Sequence, residues 1–160
     1  MDLSKAFAVI DHIILKQKLE YYGFRGIFLE FILSYVQDRQ YFVSANGFKS
    51  PTKTVNIGVP QGSILGPLLF LIYINDMKNC STILHFLQYA DNSTITFSSN
   101  NLTTCLDVMK TECDKVLEWL IANKLIINLN KTFIMVFTNR KRQGNISIDI
   151  NNLTINIYIY

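Results

Sequence analysis

Little in this chain cross-links or punctuates it. Its 160 residues include only three cysteines, three prolines, seven glycines and one tryptophan. The cysteines, Cys80, Cys105 and Cys113, follow no metal-ligand spacing. Cys105 and Cys113 share one helical stretch and stand about 12 Å apart along its axis, too far for a disulfide. A reducing, intracellular setting, cytoplasm or nucleus, is therefore expected. Charge is sparse as well, at 17% of residues, with 15 Lys and Arg against 12 Asp and Glu. The resulting +3 tolerates a polyanion without identifying one. The longest apolar run, from Ile64 to Ile74, falls short of the ~20 residues of a membrane span and contains Gly66 and Pro67. No basic leader precedes an apolar run at Met1, so neither secretion nor a membrane is expected.

Apolar residues are plentiful instead. They make up 49% of the chain, enough to build a core and to exclude a disordered tail. No repeat or linker divides the sequence, so residues 1–160 are expected to be one domain, or part of one. Asp11 is placed to cap a helix carrying Ile13, Ile14, Leu15, Leu19 and Tyr22 and ending at Gly23. A second helix is expected over 27–37, with Phe28, Phe31, Ile32 and Tyr35 inward. Strands over 40–45 and 52–57 are joined near Asn46-Gly47, a hairpin signal. The loop from Gly58 to Gly62 feeds a helix over 67–77, with Pro67 in its first turn.

Further on, strands over 84–89 and 94–98 flank Ala90-Asp91-Asn92-Ser93. The pattern predicts a long helix over 102–123 that places Leu106, Met109, Cys113, Val116, Leu117 and Leu120 on one face. A strand is expected over 133–137, and a last hairpin, 146–150 with 153–159, turns at Asn151-Asn152. Helices interleaved with antiparallel hairpins make the class α+β.

Taken singly, the polar candidates are ordinary. An aspartate at a hairpin tip, such as Asp91, bonds its own backbone, and glycine and proline punctuate loops everywhere. Their joint order is not ordinary. Asp2-Leu3-Ser4-Lys5-Ala6-Phe7 is followed by Gly58-Val59-Pro60-Gln61-Gly62-Ser63-Ile64-Leu65-Gly66-Pro67-Leu68-Leu69-Phe70. The latter continues through Leu71-Ile72-Tyr73-Ile74-Asn75-Asp76-Met77, and Tyr89-Ala90-Asp91-Asn92 comes last. These stretches resemble blocks A, B and C of reverse transcriptases, most closely those of jockey-type, LINE-like non-LTR retrotransposons. The segment around Asn128-Leu129-Asn130-Lys131-Thr132 resembles block D.

The resemblance implies a polymerase palm, an antiparallel sheet with helices on one face, and fingers and thumb largely missing. It implies RNA-directed DNA polymerisation on an RNA template with a DNA or RNA primer and deoxynucleotide triphosphates. Joining a primer hydroxyl to a triphosphate uses two Mg²⁺ ions about 4 Å apart. By resemblance Asp2 and Asp91 hold them, with the backbone oxygen of Leu3 a further ligand. Phe7 matches the bulky residue beside the sugar's 2′ carbon. Gln61, Gly62 and Tyr89 match nucleotide and template contacts, and Lys131 matches the lysine that protonates departing pyrophosphate. Lys5 and the Arg140-Lys141-Arg142 cluster are candidate phosphate contacts.

Four departures weigh against activity. Asn92 replaces the second block C aspartate, keeping an oxygen but losing a charge that would offset repulsion between two dications. Ala8 stands where relatives often carry an acidic residue. The chain begins one residue before Asp2, so that residue is expected to lack a supporting strand and to fray. It stops where relatives continue to a primer-gripping hairpin and a thumb. Two readings therefore stay open: a reverse transcriptase palm fragment, or a catalytically dead remnant with at most weak nucleic-acid binding. Oligomeric state is not readable from the sequence.

Overall fold

The computed structural model describes residues 1–138, 146–150 and 153–159, and the chain divides into two units. The Arg140-Lys141-Arg142 cluster and the Asn151-Asn152 turn lie outside the described residues.

One unit spans Lys5–Asn75. It holds α1 (His12–Tyr21), α2 (Gly26–Val36), β1 (Arg39–Tyr41), β2 (Ser44–Ala45), β3 (Phe48–Lys49), β4 (Lys53–Val55) and α3 (Leu65–Ile74). Asp11 caps α1 as expected, its Oδ1 accepting from the N–H groups of Ile13 (2.9 Å) and Ile14 (3.1 Å). Leu15 and Leu19 of α1 are buried, as are Leu69, Phe70, Tyr73 and Ile74 of α3. Lys18 extends from α1 to donate to the Tyr73 carbonyl at 2.6 Å.

Two expectations need correction here. Phe28 and Phe31 of α2 are 77% and 59% exposed, while Leu29 and Val36 are buried. The helix is apolar nearly all round, so its period fits either face and only packing selects one. The two expected strands also break in the middle. β1 pairs with β4 and β2 with β3, each antiparallel, and the inner pair turns at Asn46 (φ 50°) and Gly47 (φ 81°). Two consecutive positive φ angles are what an Asn-Gly hairpin turn demands.

The other unit comprises Met1–Ser4 and Asp76–Tyr160. It contains β5 (His85–Tyr89), β6 (Asn92–Thr96), α4 (Leu102–Ala122), β7 (Ile134–Val136), β8 (Ile146–Ile150) and β9 (Leu153–Ile159). α4 is the long helix anticipated, capped by the Asn101 side chain accepting from Thr103 N–H at 2.9 Å. It buries Val116, Leu117 and Leu120 and packs on β8. β5 and β6 are a tight hairpin whose turn is Ala90-Asp91 alone, so Asn92 and Ser93 belong to the strand rather than to a loop.

Helices and antiparallel hairpins give the α+β class. A single antiparallel sheet does not form among the described residues, where the strands make four small sheets. In the largest of these, β9 pairs antiparallel with β8 but parallel with β7. Between β6 and residues 126–128 runs the N-terminal segment, which offers only Asp2 and Leu3 for pairing, one bridge on each edge.

Candidate active site

The N-terminal segment is bonded along both edges. Ser93 N–H donates to the Met1 carbonyl at 3.0 Å, and the Met1 ammonium donates to the Ser93 carbonyl at 2.9 Å. This sets Asp2 directly opposite Asn92. On the other edge Ser4 N–H donates to Ile126 O at 2.7 Å and Asn128 N–H donates to Asp2 O at 2.9 Å. The expected fraying of Asp2 is therefore not what the structure has: its backbone is held from two sides. The bonds flanking Leu3 and Ile127 leave the Leu3 carbonyl directed at the opposite edge, where Asn92 pairs.

Residues opposed across an antiparallel pair share a face. Tyr89 pairs with Asn92, Asn92 with Asp2, and Asp2 with Asn128, so these four side chains form one row. Tyr89 is 83% exposed, whereas the Asp2 side chain is only 13% exposed. Asp91 lies beside the row, half-buried, in the turn. Its neighbour Ala90 adopts φ 51°, a left-handed conformation that a residue with a Cβ takes up at a cost.

The Asp2 carboxylate is itself oriented. Its Oδ2 accepts from the Asn128 side-chain amide at 3.1 Å and faces Lys131 Nζ at 3.9 Å. Its backbone N–H donates to Thr132 Oγ1 at 3.2 Å. Lys131 is thus brought to the site, but 72% exposure screens its pairing with Asp2. Sequence reasoning assigned Lys131 in this stretch and passed over Asn128 and Thr132. The signal was present: Asn128, Lys131 and Thr132 are spaced to face one way from the single turn at 129–131.

Burial lowers the pKa of the half-buried Met1 ammonium, with Asp2 and then Cys113 opposing the shift. Burial pushes the Cys113 thiol up to about 11, helped by Asp114 and Glu112. That sulfur stays protonated near neutrality, which removes it as a soft ligand. The donors expected from the sequence are all oxygens: the carboxylates of Asp2 and Asp91, the Leu3 carbonyl and the Asn92 amide oxygen. Such a set suits a hard divalent cation that keeps some of its waters, and so fits Mg²⁺. No cluster of three or more His, Cys, Asp or Glu occurs among the described residues, so two carboxylates carry the charge of the set.

Phe7, Gln61 and Gly62 belong to the other unit. Phe7 is half-buried and packs on Phe70, ring centroids 4.8 Å apart. Gln61 is exposed, and Gly62 sits at φ +76° with open space where a Cβ would be, so its glycine serves the backbone angle rather than a close approach within the chain. The loop begins at a tight clasp. Gly58 donates to Ile10 O at 2.7 Å, and its carbonyl takes the buried His12 Nε2 (2.8 Å) and Arg39 Nη2 (3.2 Å). A Cβ on Gly58 would lie 2.7 Å from the Ala8 carbonyl oxygen, so the backbone at residue 8 leaves no room for a side chain there.

Residues 1–153 match the family described as reverse transcriptase (RNA-dependent DNA polymerase). The RNA-directed DNA polymerase from mobile element jockey of Drosophila funebris is 29% identical over 163 residues, covering 98% of this chain and 17% of that protein. The probable RNA-directed DNA polymerase from transposon X-element of Drosophila melanogaster is 28% identical over 152 residues, covering 89% of this chain and 16% of that protein. The chain spans about one sixth of the length of these curated relatives.

Proposed function

The chain belongs to the reverse transcriptase (RNA-dependent DNA polymerase) family, in its jockey-like non-LTR branch, and from that membership we propose that it is the palm portion of an RNA-directed DNA polymerase. The observation that carries the proposal is the Asp2–Asn92 pairing, which unites blocks A and C, 90 positions apart, on one face of one unit. The substrates on this reading are an RNA template, a DNA or RNA primer and deoxynucleotide triphosphates.

Asp2 and Asp91, with the Leu3 carbonyl, would hold two Mg²⁺ ions. When bound, these ions lower the pKa of the primer hydroxyl and neutralise the departing pyrophosphate. The chain's own residues do the positioning. Main-chain bonds on both edges fix Asp2, and the amide of Asn128 orients its carboxylate. Tyr89, exposed at the end of the row, offers a ring for a base or sugar to stack on. Lys131, at the rim, supplies a proton to the leaving pyrophosphate oxygen. Phe7 supplies bulk against a 2′ hydroxyl, and Gln61 with Gly62 contacts nucleotide and template.

Asn92 favours a second reading, a remnant that binds nucleic acid weakly and catalyses nothing, because the second acidic position of block C is neutral here. Primer extension separates the two. The 160-residue chain alone is expected to extend a primer poorly or not at all. Joined to the fingers and thumb segments of a jockey relative and carrying Asn92→Asp, it is expected to give Mg²⁺-dependent extension that Asp91→Ala abolishes. Silence of that extended chain would favour the remnant.

A further inference from the structure

Between Asp38 and Asp76 the chain carries no acidic residue, and its cations there are Arg39, Lys49 and Lys53. All three lie on the ribbon that β1 to β4 form. Strand alternation sorts the ribbon's side chains between its two sides. Arg39 pairs with Val55, Tyr41 with Lys53 and Ala45 with Phe48, so Arg39, Tyr41, Val43, Phe48 and Lys53 line one side. Phe42 and Lys49 fall on the reverse, where the Lys49 ammonium stands 5.0 Å from the Phe42 ring centroid. The first side is bare. Tyr41 is 51% exposed and Phe48 82%, and the strands of the ribbon pack chiefly on one another. A two-stranded ribbon has no core in which to bury such rings, and large apolar side chains clustered in water mark a surface that meets a partner. Lys53 beside them is exposed as well. Arg39 is half-buried, its Nε and Nη2 donating to the Val36 and Gly58 carbonyls, so its charge is fixed in place on the same side.

We propose that this side of the ribbon binds single-stranded nucleic acid, with bases stacked on Tyr41 and Phe48 and phosphates drawn to Lys53 and Arg39. An aromatic ring with a cation directly across the strand pair matches the base and the phosphate of a nucleotide. An apolar protein partner would strip water from the Lys53 ammonium without offering it a charge. A second copy of the chain would set cation against cation, with no carboxylate on the ribbon to answer them. A duplex keeps its bases stacked on one another, so its ring faces are not offered. Neither kind of contact uses a 2′ hydroxyl, so single strands of RNA and DNA are bound alike. The inference goes beyond the polymerase reading: it uses none of the metal ligands, and it holds or fails with metal chelated.

The test is fluorescence anisotropy of short labelled oligouridylate and oligothymidylate, titrated with the full 160-residue chain in EDTA. Both strands are expected to bind, and a duplex of the same length to bind more weakly. Tyr41→Leu and Phe48→Leu keep apolar bulk and remove the stacking face. Each is expected to weaken binding about tenfold, and Phe48→Trp to preserve it. The matching change on the reverse side, Phe42→Leu, is expected to leave affinity unchanged. Lys53→Gln is expected to flatten the slope of log affinity against log salt by about 0.7, the loss of one phosphate contact on a single strand. A lysine that only kept the ribbon soluble would not move that slope. Far-ultraviolet circular dichroism checks the fold of each variant. Absence of binding to either strand, or binding indifferent to Tyr41, Phe48 and Lys53, overturns the proposal and leaves the polymerase reading to primer extension. Self-association in sedimentation that Phe48→Leu abolishes, without affinity for oligonucleotide, would give the ribbon to a second copy and overturn it equally.

Discussion

Asp2 and Asn92 stand directly opposite one another across an antiparallel bridge, closed by reciprocal main-chain hydrogen bonds between Met1 and Ser93. Side chains so opposed have Cβ atoms about 5 Å apart. The neutral amide at position 92 thus faces the site's best-oriented carboxylate at close range. A change of one charge there is expected to act on both stability and metal binding.

Asn92→Asp is expected to reverse the effect of metal on stability. With a chelator present, two carboxylates face each other and the variant melts below wild type, by up to about 1 kcal/mol of repulsion. In excess Mg²⁺ the repulsion becomes a binding site and the order inverts. Thermal melts in both conditions measure this, and a variant less stable than wild type in both would show that the row does not hold a cation.

Lys131→Met is expected to tighten Mn²⁺ binding, because it removes a cation 3.9 Å from the Asp2 carboxylate. Exposure limits the gain to a few-fold. In the extended chain the same change is expected to slow extension, since the donor for the leaving oxygen is gone. Opposite signs for binding and rate are the signature; parallel losses would make Lys131 a structural residue.

At the loop clasp, Gly58→Ala is expected to cost on the order of 3 kcal/mol. Its φ of +78° strains any residue with a Cβ, and the added carbon would lie 2.7–2.9 Å from Ala8 backbone atoms. His12→Ala is milder, about 1–3 kcal/mol, because the Gly58 carbonyl keeps Arg39. Urea denaturation measures both, and a near-neutral Gly58→Ala would contradict the contact.

Ala90→Gly is expected to stabilise the chain by about 1 kcal/mol, through relief of the φ of 51° at the first turn position. The melting temperature should rise. A fall would mean that the entropy glycine adds to the unfolded chain outweighs the relieved strain.

The Cys113 thiol is expected to be slow with iodoacetamide at pH 8, since a pKa of about 11 leaves roughly 0.1% thiolate. Its native value lies above the ordinary 9.0, so the stability it contributes is complete below about pH 9 and is lost as pH climbs towards 11. Site-resolved mass spectrometry should show native Cys113 protected at least tenfold relative to the urea-unfolded chain. Equal rates would place that side chain in water.

What the sequence settled by itself was local and periodic. The long apolar stripe from Leu106 to Leu120, the Asp11 cap and the Asn46-Gly47 turn are properties of neighbouring residues, and each is where the spacing put it. The ordered blocks carried the family for a similar reason, since chemistry constrains residue types within a few positions. Packing between distant segments was beyond its reach. α2 is apolar on every side but that of Glu30 and Ser34, so only its neighbours decide that Leu29 rather than Phe28 turns inward. β7 joins β9 in parallel, a pairing that no strand pattern encodes. The grip of Asn128 on Asp2 spans 126 positions. A hydrogen bond between side chains so far apart leaves no local trace, so only the tertiary structure could place that amide against the Asp2 carboxylate.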